Sequence, residues 1–302
     1  MSRFGVVIGL LTLALIVGLA LVPASQRLRP NESLKFYRAV SYLLRQYNAD
    51  IGLIFESDDP GVHWLATVEP PVPQARYEST YWIYSDNLFA YPVLRRYKPT
   101  IAETICQRID SYGEPPSRLF EVVLGAPITV PFYDAANVLV ADGGDYVVMA
   151  RRHEAKPPLI IEDYADMVVY RALNAHFEGR AADAARDFAR AYRMFDGKGM
   201  RDKALAVDGF YANYKLALFV YAAKILEADI PDLDRIEAHL WAMQSTDGGF
   251  YSLAGRDGRG MGSSNVETTS LALLAYEDDI VSRLRQHRNL DGVGGGGIDA
   301  LR

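Results

Sequence analysis

A mainly α-helical fold with a small β insertion, preceded by one membrane-spanning helix, is what this sequence predicts. Three observations lead there. Phe4 to Val22 is an uninterrupted apolar run at the extreme N-terminus. Apolar residues recur at three- and four-residue spacing through most of the remaining chain. Between residues 118 and 152 that spacing gives way to short β-prone runs.

The run FGVVIGLLTLALIVGLALV follows Arg3 and contains only Thr12 as a polar residue. As a helix it measures about 28 Å, which matches the roughly 30 Å hydrocarbon core of a bilayer. We read 4–22 as an uncleaved single-pass anchor with the bulk of the chain outside the cytoplasm, at the cell envelope. Val22-Pro23-Ala24 offers a small-residue cleavage site, so a signal peptide is the alternative. Asn31-Glu32-Ser33 fits a glycosylation acceptor, and Asn31 equally fits a helix cap.

Half of the 302 residues are hydrophobic and 23% are charged, the profile of a folded chain. The net charge of −6 and the absence of a long Lys/Arg run give nucleic acid no electrostatic footprint. The single cysteine, Cys106, can form no intrachain disulfide and reads as a buried small hydrophobe. The five histidines show no metal-ligand spacing, so neither a metal nor a cofactor is implied.

An extracytoplasmic domain is expected over 31–290. Its first helix spans about Glu32 to Asn48, with Leu34, Tyr37, Val40, Leu43, Leu44 and Tyr47 on one face. Tyr77 to Arg96 and Pro99 to Tyr112 read as a helical hairpin, Pro99 suiting a first turn. In the β insertion the runs are Val122 to Leu124, Ile128 to Val130, Val138 to Val140 and Tyr146 to Met149. Asp142-Gly143-Gly144-Asp145 signals a hairpin between the last two. Helices return over 162–178, 181–195, 201–228, 232–244 and 265–287. Residues 291–302, with four successive glycines, form a flexible tail.

Two motifs resemble known families. Gly179, Ala184, Phe188 and Ala191 resemble one tetratricopeptide-like hairpin, but a repeat array needs several copies and no second is evident. Near the C-terminus stand Gln244-x2-Asp247-Gly248-Gly249-Phe250 and then Asn265-Val266-Glu267-Thr268-Thr269 opening a helix. A weaker counterpart runs from Gln46 through Asp50-Ile51-Gly52-Leu53 to Tyr77-Glu78-Ser79-Thr80-Tyr81. This unit resembles the Gln/Trp repeat of the α/α-toroid superfamily, which includes terpenoid cyclases and prenyltransferase β-subunits. The resemblance implies helical hairpins around a common axis. Activity does not carry over, because the chain lacks that superfamily's acid motif, zinc ligands and thioester residues. The nearest approach to the acid motif is Glu56-Ser57-Asp58-Asp59.

In a toroid the inner helices open at one mouth, which would gather Glu78, Asp86 and Glu267 as candidate catalytic carboxyls. Asp58, Tyr81, Asp247 and Tyr251 would be candidate ligand-binding residues around them. Paired carboxyls can divide acid and base work on a glycosidic bond. The competing explanation is structural: Ser264-x2-Glu267 is a capping box, and Glu78 could cap in the same way. Three functions are consistent with this pattern. The first is a structural or interaction module of the cell envelope that meets an envelope protein. The second is a carbohydrate-binding or carbohydrate-active domain, and the third a lipid-substrate toroid enzyme.

Overall fold

The computed structural model describes residues 30–57, 79–113, 119–128, 135–153 and 160–286. The anchor segment 4–22, the tail 291–302, Asp58 and Glu78 all lie outside these residues. No helix among the described residues is long and apolar enough to cross a membrane. The chain divides into two units, 1–34 and 35–302.

The described part of the chain is mainly helical with small sheets, as the apolar spacing predicted. Its helices fall into two kinds. α1 (Pro30–Arg45), α3 (Pro99–Ser111), α5 (Ala181–Tyr192), α8 (Leu233–Ala242) and α10 (Asp278–Gln286) are amphipathic. In α3, for example, only Ala102, Ile105, Cys106 and Ile109 are buried, one stripe at helical spacing. The other kind is buried nearly all round: α2 (Leu88–Tyr97), α4 (Ala165–Phe177), α7 (Asn213–Ile225) and α9 (Val266–Leu274). These inner helices follow one another in space as α2, α9, α7, α4. Outer helices pack onto them: α3 on α2, α5 on α4, α8 and α10 on α7. A stacked pair, Phe188 on Phe219 at 4.8 Å between centroids, joins α5 to α7. In the hairpin of α4 and α5, Ala184, Phe188 and Ala191 are buried, and Gly179 makes the turn at φ +76°.

The C-terminal Gly-rich turn shows why its residues are what they are. Asp247 Oδ1 accepts the Gly249 N–H at 2.8 Å and the Ser264 hydroxyl at 3.0 Å. Gln244 Nε2 donates to the Gly248 carbonyl at 2.8 Å and to the Lys35 carbonyl in α1 at 2.7 Å. Helix α1 presses so close that a Cβ on Gly248 would lie 2.5 Å from the Arg38 carbonyl oxygen, and Gly248 has φ +98°. Arg38 donates to the Thr246 carbonyl at 2.7 Å, Arg45 to the Asp247 carbonyl, and the Tyr42 hydroxyl to the Ser264 carbonyl at 2.9 Å. The first described helix is thus seated on the last part of the fold.

Four expectations need correction. Residues 77–96 are not one helix: Ser79–Trp82 is strand β3, Ile83–Asn87 a π-helical turn, and α2 begins at Leu88. The β-prone Ser-Thr-Tyr-Trp run finds an open sheet edge, where β3 pairs in parallel with β5 (Tyr146–His153). β5 also pairs antiparallel with β4 (Ala135–Asp142) through the expected Asp142–Asp145 turn. Val122 to Leu124 belongs to a buried 3-10 turn (Leu119–Leu124) that Gly125 ends at φ +92°. A short apolar run carries no periodicity that separates strand from turn. The span 201–228 is broken after α6 (Lys203–Asp208) by left-handed Gly209, before β6 (Tyr211–Ala212) and α7. The span 265–287 breaks between α9 and α10, where buried Glu277 bonds Arg96 at 3.0 Å.

Candidate functional site

The π-helical turn Ile83–Asn87 follows extended Trp82, and all five of its residues are buried. A π turn widens the backbone by one residue, a distortion found disproportionately at functional sites. Asn87 anchors this one. Its Oδ1 accepts the Ile54 N–H at 2.8 Å, and its Nδ2 donates to the Ile54 and Trp82 carbonyls, both at 2.9 Å. Ile54 closes the short strand β2 (Leu53–Ile54), which pairs antiparallel with β1 (Tyr47–Asn48). Two residues further on, the Glu56 N–H donates to the Thr80 carbonyl at 2.8 Å, while the Glu56 carbonyl accepts from Val266 N–H at 2.9 Å. Glu56 is therefore held between β3 and the start of α9. Its side chain accepts the Trp82 indole N–H on Oε2 at 3.1 Å.

Glu267 is the second residue of α9, directly after Val266. The cap of that helix is Asn265, whose Oδ1 accepts the Thr268 N–H at 3.0 Å. Ser264 is not the cap, since its hydroxyl serves Asp247, so the capping box expected from Ser264-x2-Glu267 does not form around Ser264. Thr269 locks the same turn, donating to the Asn265 carbonyl at 2.7 Å and accepting the Phe250 N–H at 2.9 Å.

Asp86, on the π turn, feels the charge of both acids. It is 2% exposed, its Oδ1 accepts the Ser85 hydroxyl at 3.1 Å, and its Oδ2 has no hydrogen-bond partner. Burial pushes its carboxyl well above the ordinary aspartate range, and the charges of Glu56 and then Glu267 push it further, against the Ser85 bond. Both effects favour the protonated form of this carboxyl over the ionised one.

The π turn that carries Asp86 packs against α9, the helix of Glu267, and the charges of Glu267 and Glu56 both act on Asp86; Glu56 is a residue that sequence spacing alone places in a loop. A faint signal is present: Glu56 ends the apolar run Leu53-Ile54-Phe55, a strand-like stretch leading to an acid. The predicted ligand-binding residues fare differently. Tyr81 is 1% exposed; its hydroxyl accepts from Asn48 Nδ2 at 3.0 Å, and its ring meets Tyr146 edge-on at 5.7 Å. It is part of the core. Asp247 is occupied with the Gly-rich turn. Tyr251 is half-buried on β7 (Phe250–Ala254), with its ring against Gly260 of β8 (Gly260–Asn265).

Several other acids with buried side chains have a cation. Asp202 meets Lys215 at 2.6 Å, with Asp166 at 3.4 Å from the same ammonium, and Asp187 meets Arg171 at 2.7 Å. No group of three or more His, Cys, Asp or Glu residues among those described could hold a metal ion. No family model, curated protein or solved structure matches this chain.

Proposed function

We propose that this protein is a carbohydrate-active domain in which Asp86 is the general acid and Glu267 the base or nucleophile, carried on an α/α-toroid-like scaffold. The observation that carries the reading is the buried, unpartnered Oδ2 of Asp86 on a π-helical turn, with the charges of Glu56 and Glu267 acting on that carboxyl. Glycosidic bonds are cleaved by one protonated and one ionised carboxyl, and different surroundings are what divide those roles. Asp86 is buried and Glu267 half-buried. Trp82, half-buried beside Glu56, supplies an aromatic face suited to a sugar ring. The toroid-like scaffold draws support from the succession of inner helices and from α1 bonding the C-terminal turn. In this reading Phe4 to Val22 anchors the domain, which faces the cell envelope.

The test is a panel of oligosaccharides incubated with the full chain and with Asp86→Asn and Glu267→Gln. Each substitution is expected to lower turnover by about 10²–10⁴-fold with the fold intact. Turnover unaffected by both would overturn the assignment. A second reading, an interaction module of the envelope, is favoured by exposed apolar residues such as Val207 at 79% and Tyr37 at 60%. In that case the full chain turns over no saccharide, and a partner protein is retained by wild type but lost on Val207→Asp or Tyr37→Asp.

A further inference from the structure

Helix α7 starts at Asn213, whose Nδ2 donates to the Tyr251 carbonyl at 2.9 Å, beside the strands that lead into α9. Its other end, about 20 Å along the helix, opens onto a groove of about 440 Å³ formed with α5. Glu56, Asp86 and Glu267 take no part in this groove. Ala185, Phe188, Ala189, Leu226 and Ile230 give it an apolar lining. Ala185 and Ala189 are exposed and one helical turn apart, while Phe188 is held by its stack on Phe219.

The charged lining is of one sign: Glu227 and Asp229 contribute to it, and no lysine or arginine does. Glu227 is the only non-glycine residue with positive φ among those described, at +49°. It closes the end of α7. Its N–H donates to the Lys224 carbonyl at 3.4 Å and the Ala228 N–H to the Ala223 carbonyl at 3.0 Å, a wrap in which glycine is the usual residue. Glutamate at that position costs stability, and strain of this kind concentrates at functional sites. What it adds over glycine is a carboxylate at the groove. Arg285 reaches that carboxylate at 3.6 Å, yet 64% of the Glu227 side chain stays exposed. Asp229 is exposed, and its carboxylate has no hydrogen bond or ion pair with any described residue.

The volume lies in the range of small-molecule sites. A peptide would bring main-chain N–H and C=O groups that need partners. The uncharged polar side chains of the lining offer it little: the Tyr192 hydroxyl is committed to Asp232 at 2.6 Å, and His176 is buried edge-on to Phe177. We infer that the groove between α5 and the end of α7 binds a small amphiphilic cation, an apolar body ending in a protonated amine. The body lies on Ala185, Phe188 and Ala189, and the amine meets Asp229 and Glu227 through charge-assisted hydrogen bonds. This site is independent of the carbohydrate reading.

Titration calorimetry of the full chain at neutral pH with n-octylamine, n-octanol and octanoate tests the proposal, because the three share one chain length and differ in charge. The amine is expected to bind about tenfold more tightly than the alcohol, with octanoate weakest. Hexylamine, two methylenes shorter, should bind about tenfold more weakly than octylamine. Asp229→Asn together with Glu227→Gln should bring the amine down to the level of the alcohol. Ala189→Trp fills the groove from an exposed position, so it should abolish binding of all probes and leave the melting temperature near that of wild type. Glu227→Gly should raise the melting temperature while weakening the amine. Octanol or octanoate binding as tightly as the amine overturns the charge selection. Amine binding that survives Ala189→Trp overturns the assignment to this groove, as does the absence of any binding by wild type. A concentration-dependent dimer of wild type that Ala189→Trp dissolves would give the groove to a second copy of the chain and overturn the small ligand.

Discussion

Two regions of the molecule are built to one plan and end differently. From Gln46 to Asn87, and again from Gln244 to Thr269, a helix stops, a Gly-containing turn follows, a short strand forms, and an inner helix begins. The C-terminal copy is regular: Asn265 caps α9, Thr269 ties the strand to the helix, and Glu267 stands half-buried in the first turn. In the N-terminal copy no side chain caps the π turn, Asn87 takes over the tying of strand to helix, and Asp86 is driven inside. The lesson is that a repeated frame can offer the same residue type two dielectric environments. One copy spends its polar bonds on regularity. In the other, a distorted turn leaves a carboxyl with an unsatisfied oxygen, which costs stability.

The largest expected effect lies at that point of difference. Asp86→Asn should remove nearly all turnover and also stabilise the protein as pH rises. The sign comes from linkage. A carboxyl raised in the folded state above its unfolded value of about 3.9 holds a proton that the unfolded chain has released, so stability falls as pH climbs through that interval. Asn has no proton to lose. Thermal melts of both proteins at pH 5 and pH 8 should show the variant's advantage growing with pH. An advantage that is constant across pH would mean that Asp86 is ordinary.

The Gly-containing turns come next. Gly248→Ala brings a Cβ within 2.5 Å of the Arg38 carbonyl oxygen, at φ +98°. Gly52, at φ +75°, would meet only side chains, Thr104 at 3.3 Å and Arg108 at 3.8 Å. Both substitutions carry the left-handed strain of roughly 1 kcal/mol, and Gly248→Ala adds a backbone clash for a total of about 2–3 kcal/mol. Melting temperature should fall by several degrees at Gly248 and by clearly less at Gly52. Equal losses would mean that α1 does not press on the C-terminal turn.

A smaller effect separates cap from catalyst in α9. Asn265→Ala should cost ~0.5–2 kcal/mol, whereas Glu267→Gln should leave the melting temperature almost unchanged and remove activity. The reverse pattern, with Glu267 carrying stability and Asn265 none, would return Glu267 to a structural role.

Much of this is legible in the sequence. The amphipathic helices announce themselves by spacing, and the Asp142–Asp145 hairpin by its turn residues, because both signals are local. Asp86 and Glu267 can be picked out as acids near inner-helix starts. Glu56 cannot, since what positions it is Thr80 and Val266, far along the chain. The π turn is equally hidden: nothing in Ile83-Tyr84-Ser85-Asp86-Asn87 distinguishes it from an α-helical turn until Asn87 meets Ile54. Ser264 and Asn265 both fit a cap by type, and the choice between them depends on Asp247 having claimed the Ser264 hydroxyl.

The bonds from α1 to the C-terminal turn join residues more than two hundred positions apart. During synthesis α1 emerges early, yet the surface that receives Arg38, Tyr42 and Arg45 is among the last to be made. Phe36 can meet Tyr97 of α2 early, but the side of α1 that bonds the C-terminal turn must wait uncovered until that turn is translated, at about 5–20 residues per second. Assembly of such long-range contacts is slow even once the chain is complete. A holding factor that masks α1 during that interval should therefore raise the yield of native protein more than one acting on any later helix.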